Sequence, residues 1–167
     1  MARPLIIAAG IAAGDFSWLE GLRRAHYPPE RNQVASHLTI FHALPPSAEA
    51  EVRVRLAQIV RRQAPKASIE GLMDLGGGVA FRVVSSDLDR IRDELAIDLF
   101  GLLGAQDRGG WRPHITIQNK VSPKLARSLK QSLESTFRPK PLRISGLELN
   151  RYLGGSWELL GNYKFRS

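Results

Sequence analysis

Two short segments repeat one another in this chain of 167 residues: His37-Leu38-Thr39-Ile40 and His114-Ile115-Thr116-Ile117. The chain holds four histidines and three threonines, yet two of those threonines stand two residues after a histidine. Random placement would give such a pair, with an apolar residue after each His and each Thr, about once in 10⁴ sequences. In an extended strand successive side chains point to opposite faces. His37 and Thr39 therefore share one face while Leu38 and Ile40 take the other, and the second copy divides in the same way. Each copy predicts a strand with an imidazole and a hydroxyl side by side on a polar face, anchored by two buried aliphatics. The copies lie 77 residues apart (37 to 114), near half the chain length. Two similar lobes, each contributing one strand, would bring both pairs to a shared cleft.

The rest of the chain supports such an arrangement. Residues 5–11 read as a strand buried on both faces, followed by a helix from Asp15, its expected N-cap, to about Arg24. Pro28 and Pro29 end that segment. A strand over 36–43 is closed by Pro45-Pro46, and Ser47 is the expected cap of a helix running to about Arg62. Strands at 67–74 and 78–84 flank Gly76-Gly77-Gly78, which reads as a hairpin turn. Ser86 is the expected cap of a helix to about Leu103, and a Gly-, Asp- and Arg-rich loop then leads to a strand at 114–119. Ser122-Pro123 opens a last helix to about Phe137, before a closing pair of strands at 142–153 and 156–165. The order β-α-β-α-β-β-α-β-α-β-β fits neither tandem βαβ units nor an all-β chain. It predicts an α+β fold with antiparallel or mixed sheets in one domain spanning 1–167.

Composition narrows the function. Twenty-four Lys and Arg against sixteen Asp and Glu leave a formal charge of +8, which favours polyanionic partners such as nucleic acids, nucleotides or an anionic membrane. With no cysteine, disulfides, a thiol nucleophile, a zinc finger and an iron–sulfur site are all excluded. No stretch reaches the roughly 20 apolar residues of a membrane span. The apolar run Leu5–Ala13 is short and meets Asp15 at once, so it reads as a strand rather than a signal sequence, and a cytoplasmic monomer is expected.

Two imidazoles facing one substrate can act as general base and general acid at neutral pH, because each titrates near 6.5 when unperturbed. Hydroxyls beside them can donate to phosphoryl oxygens during in-line displacement at phosphorus. His37, Thr39, His114 and Thr116 are therefore the candidate catalytic residues. Gln118 and Lys120 continue the face of His114 and Thr116 on a regular strand, and Phe41 continues that of His37. With Trp111 and Arg112 just before the second motif, these form the candidate substrate-binding set; Trp111 either stacks a base or plugs the junction between lobes. His42 falls opposite His37 on a regular strand and is expected to be structural or at the surface. His26 suits charge complementarity at a helix end. Arg23-Arg24 and Arg61-Arg62 read as solvated helix faces. A metal centre is not expected, since no carboxylate or thiol accompanies either motif. Nor does any Gly-x-Ser-x-Gly elbow of a serine hydrolase occur.

The paired His-apolar-Thr-apolar segments, in a chain of this size and element order, resemble the 2H (two-histidine) phosphoesterase superfamily. Its bacterial RNA 2′,3′-cyclic phosphodiesterases, also called 2′-5′ RNA ligases, show the nearest resemblance. The resemblance implies a bilobal α+β fold of two pseudo-symmetric lobes around a central cleft. It also implies chemistry without metal or ATP on RNA-type phosphodiesters, typically the opening of a 2′,3′-cyclic phosphate on RNA or a nucleotide. His37 would protonate the leaving 3′ oxygen, His114 would activate water, and Thr39 and Thr116 would hold the phosphate. The two histidines exchange roles in the reverse, ligating direction. One departure stands out: Phe41-His42-Ala43-Leu44-Pro45-Pro46 follows the first motif, where the better-known members continue with aliphatic or aromatic residues. Small cyclic nucleotides or ADP-ribose cyclic phosphate are the alternative substrates, and a non-catalytic RNA- or nucleotide-binding module is the alternative role.

Overall fold

The computed structural model describes residues 3–167. Seven strands and five helices follow in chain order: β1 (Leu5–Ile11), α1 (Ala13–His26), β2 (Leu38–Leu44), α2 (Glu49–Ile59), β3 (Lys66–Asp74), β4 (Val79–Val84), α3 (Ser86–Asp98), α4 (Ala105–Arg108), β5 (His114–Gln118), α5 (Pro123–Thr136), β6 (Lys140–Tyr152) and β7 (Trp157–Lys164). The expected α+β class holds. All pairings among these strands are antiparallel, and an isolated bridge between Gln63 and Arg166 is parallel.

The strands run in the order β2-β1-β6-β3-β4-β5, with β7 also on β6. β6 is the common member. Residues 140–143 pair with β3, residues 144–151 with β1 and residues 146–152 with β7. One strand of 13 residues thus belongs both to a group with β1, β2 and β7 and to a group with β3, β4 and β5.

The core follows from the apolar spacing. Leu5 to Ala9 of β1 are all buried, as the continuous apolar run predicts. Val52, Leu56 and Ile59 of α2 and Leu88, Ile91 and Leu95 of α3 are buried on one face of each helix. Complete burial of one such side chain is worth about 1.5–3 kcal/mol, so these two stripes outweigh any single cap or surface ion pair. Among the described residues no helix is long and apolar enough to cross a membrane.

Several helix starts differ from the expectation for local reasons. Ala12 rather than Asp15 is the N-cap of α1, because the Asp15 carboxylate accepts from the Arg143 backbone N–H at 2.8 Å. Ser85, not Ser86, caps α3, its Oγ accepting from the Leu88 N–H. Ser47 lies in a 3₁₀ turn over 46–48, and α2 begins at Glu49 without a side-chain cap. Ser122 caps α5 as expected. The glycine hairpin also holds. Gly76 has φ +84°, and a Cβ on Gly78 would collide with the Gln118 carbonyl, so the turn needs glycine both for its hand and for the approach of β5.

Candidate active site

The two repeats have the same local geometry. His37 lies one residue before β2 and His114 begins β5. The His37 Nδ1–H donates to the Ala35 carbonyl at 2.8 Å, and the His114 Nδ1–H donates to the Arg112 carbonyl at 2.7 Å. A carbonyl only accepts, so each Nδ1 carries the proton and each neutral ring keeps its lone pair on Nε2. In both copies the acceptor is the residue two positions earlier. Leu38, Ile40, Ile115 and Ile117 are fully buried, while His37, Thr39, His114 and Thr116 are half-buried. The face assignment made from the repeat is correct for all eight residues.

The likeness continues past the threonines. Between Ala8 and Ile7 the partner on β2 moves from Thr39 to Phe41, and between Ala80 and Val79 the partner on β5 moves from Thr116 to Gln118. Each strand carries one extra residue at the same place, a β-bulge that re-aims the side chains beyond it. Three sequence expectations fail here for that reason. Phe41 does not continue the His37 face: it is 0% exposed in the core and cannot touch a ribose or base. Gln118 is likewise buried, with an unpartnered amide oxygen. His42, in turn, falls on the Thr39 side and not opposite it. Its Nδ1 meets Asp107 Oδ1 at 3.1 Å, and its charge adds to those that disfavour a proton on His37.

β2 and β5 lie at the two ends of the strand path, yet the fold draws them together. Trp111 Nε1–H donates to the Thr39 carbonyl at 3.2 Å. Arg23 donates through Nη1 to the Thr116 carbonyl at 3.0 Å and through Nε to Asn32 Oδ1 at 2.9 Å. The Arg92 guanidinium sits over the rings of both Phe41 and Trp111. Trp111 thus ties the two motif strands together. Arg23 is not on a solvated face; it is buried beneath β5, and burial lowers its pKa.

Electrostatics set His37 apart. Burial pushes its imidazole from 6.5 down to about 4, partly opposed by the Ala35 carbonyl and reinforced by the charges of Arg23, His114 and His42. Neutral His37 therefore offers the Nε2 lone pair at physiological pH. Neither threonine hydroxyl has a protein hydrogen-bond partner among the described residues, so both are available to a ligand. Among those residues no group of three His, Asp or Glu side chains converges as metal ligands would.

A family model described as the 2′-5′ RNA ligase superfamily matches residues 12–156, which include both motifs. The chain belongs to the 2′-5′ RNA ligase superfamily. Solved structures of the same fold include TT0787 of Thermus thermophilus, at 16% identity and TM-score 0.67, covering 100% of this chain and 99% of that one. E. coli LigT complexed with 3′-AMP matches at 18% identity and TM-score 0.65, covering 100% of both chains. LigT complexed with NADP+ matches at 18% identity and TM-score 0.64, again covering 100% of both chains. No curated protein sequence matches.

Around the motifs of this superfamily member the remaining expected residues divide. Arg112 is exposed beside His114 and holds that ring through its own carbonyl. Lys120 is exposed in the turn after β5 with φ +63°. Sequence reasoning missed three neighbours. Trp157 packs its ring on His37, centroids 4.4 Å apart, across 120 residues of chain (37 to 157), and no local pattern signals that contact. Asp107 is buried and receives both the His42 and Ala43 N–H groups. Arg23 had a signal, since it stands four residues after the buried Leu19 on the inner face of α1.

Proposed function

We propose that this protein is a metal-independent phosphodiesterase that opens 2′,3′-cyclic phosphates on RNA or oligonucleotide ends. The observation that carries the reading is the duplicated anchoring of His37 and His114. Each ring is held at Nδ1 by the carbonyl two residues earlier and leaves Nε2 for proton transfer. Two bases of one kind on two converging strands suit in-line displacement, in which one takes a proton as the other gives one. The positive net charge and the nucleotides named with the LigT structures agree with a phosphate ester as substrate. The chain acts as one domain of two intertwined lobes with the substrate in the cleft between them.

In the hydrolytic direction His114 Nε2 takes a proton from water as the water oxygen bonds to phosphorus. The P–O3′ bond breaks, and His37 Nε2 delivers a proton to the leaving O3′, giving a 2′-phosphate. Thr39 and Thr116 donate hydrogen bonds to the non-bridging oxygens, with Arg112 and Lys120 at the rim of the site. His37 is neutral in the free protein; the bound phosphate anion favours its charged form and so supplies the acid where it is used.

The test is hydrolysis of an oligoribonucleotide ending in a 2′,3′-cyclic phosphate, with EDTA present. Wild-type protein should yield the 2′-phosphate, and His37→Ala and His114→Ala should each lose at least about 10²-fold in rate. Near-full activity in either variant would overturn the mechanism, and a 3′-phosphate product would reverse the leaving oxygen.

A further inference from the structure

A cavity of about 290 Å³ opens beside His37, walled by Trp157 and Ser36 and floored by Glu148 and Asn150. Its position on the sheet follows from the register. Ala8 pairs with Thr39 on one side and with Glu148 on the other, so Thr39 and Glu148 share a face two strands apart, about 10 Å. Asn150 and Tyr152 continue that face along β6, and Tyr152 pairs with Trp157. The cavity therefore lies on the catalytic face, continuous with the His37 motif.

Its polar groups lack partners. The Ser36 Oγ and Asn150 Nδ2 atoms are buried without a hydrogen bond, and both residues are only 6% exposed. Glu148 makes no hydrogen bond or ion pair with another described residue, and burial raises its carboxyl above the ordinary range, partly opposed by Lys164. A carboxylate left unpaired in a cavity costs stability unless a ligand completes it. An acid here also repels phosphate, so it needs N–H donors. In a 2′,3′-cyclic phosphate the 2′ and 3′ oxygens are both esterified, so the ribose edge has no vicinal hydroxyls to offer a carboxylate. The base remains.

We infer that this cavity is a nucleobase subsite that selects guanine: Glu148 accepts from its N1–H and N2–H, and the base packs against Trp157. Only guanine presents two adjacent N–H donors on one edge to a single carboxylate. The other bases offer that carboxylate fewer donors. Glu148 is thus a specificity-determining residue for the reaction proposed above, and the inference rests on that reading for its turnover assay.

The experiment compares kcat/KM for the four nucleoside 2′,3′-cyclic phosphates. Titrations of the four nucleoside 2′-monophosphates, monitored by calorimetry and tryptophan fluorescence, run alongside it. The guanosine substrate should exceed the others by about 10- to 100-fold, as expected for a charge-assisted pair of hydrogen bonds. Glu148→Gln should reduce the guanosine-to-uridine ratio at least about tenfold. Equal kcat/KM for all four bases would overturn the subsite while leaving the phosphodiesterase standing. If none of the four turns over, tighter binding of guanosine 2′-monophosphate by wild type, lost in Glu148→Gln, would support the subsite on its own. Equal binding of all four would overturn it.

Discussion

His37 is the residue at which pH acts most strongly. Its imidazole is displaced from 6.5 to about 4 by burial first, with Arg23, His114 and His42 acting in the same direction. Between these values the unfolded chain binds more protons than the folded one, so stability rises with pH across this window. The contribution is fully present above 6.5 and is lost as pH falls toward 4. The urea midpoint should therefore drop on acidification from about pH 7 to 4, and His37→Gln should flatten that part of the curve; an unchanged slope would contradict the shift. A bound anion acts the other way. Adding a nucleoside 2′-monophosphate should move the His37 NMR titration upward from about 4, and a titration that stays put would remove His37 from the phosphate site. The four motif residues were legible because a period-two pattern in a strand has one interpretation. Phe41 and Gln118 were misread by the same rule, since each follows a bulge that emerges only when the partner strands β1 and β4 are known. Trp157 was out of reach because its contact with His37 depends on β7 lying beside β6.

Among the elements, the four-residue α4 has an effect beyond its size. Its Asp107 carboxylate accepts from the His42 N–H at 2.8 Å, the Ala43 N–H at 3.0 Å and His42 Nδ1 at 3.1 Å. Arg92 holds the Asp107 carbonyl from α3 at 2.6 Å. Burial alone would push the Asp107 carboxyl up, but the hydrogen bonds from His42 and Ala43 outweigh it and hold the group below the ordinary carboxylate range. Asp107→Ala leaves two backbone donors of β2 without partners and should cost about 2–4 kcal/mol. That corresponds to a melting temperature roughly 5–15 °C lower, checked by thermal unfolding, and a change under about 2 °C would show that water replaces the carboxylate freely. The order of the longer elements was legible because apolar periodicity and paired glycines or prolines mark them. Their starts were not, because Asp15 was recruited by a backbone N–H from β6, 128 residues away, and distant competition of this kind leaves no local trace.

The whole molecule turns on β6. Its N-terminal residues complete the sheet of the second motif, and its remainder lies between β1 and β7 in the sheet of the first. Neither strand group can lose β6 without exposing buried residues of the other, so unfolding should occur in one step. Circular dichroism and tryptophan fluorescence should give coincident urea transitions, whereas separated midpoints would mean the groups are independent. The same connectivity has a consequence for dividing the polypeptide. A break within the glycine-containing stretch 104–110 puts the first motif on one fragment and the second motif, with β6 and β7, on the other. The shorter fragment then carries the central strand that the longer one lacks, and pairing along that strand is what would bring His37 back to face His114. Two separately expressed pieces should regain the circular dichroism and the His37–Trp157 contact of the whole chain only on mixing, which would make this protein a two-part reporter of molecular reassociation.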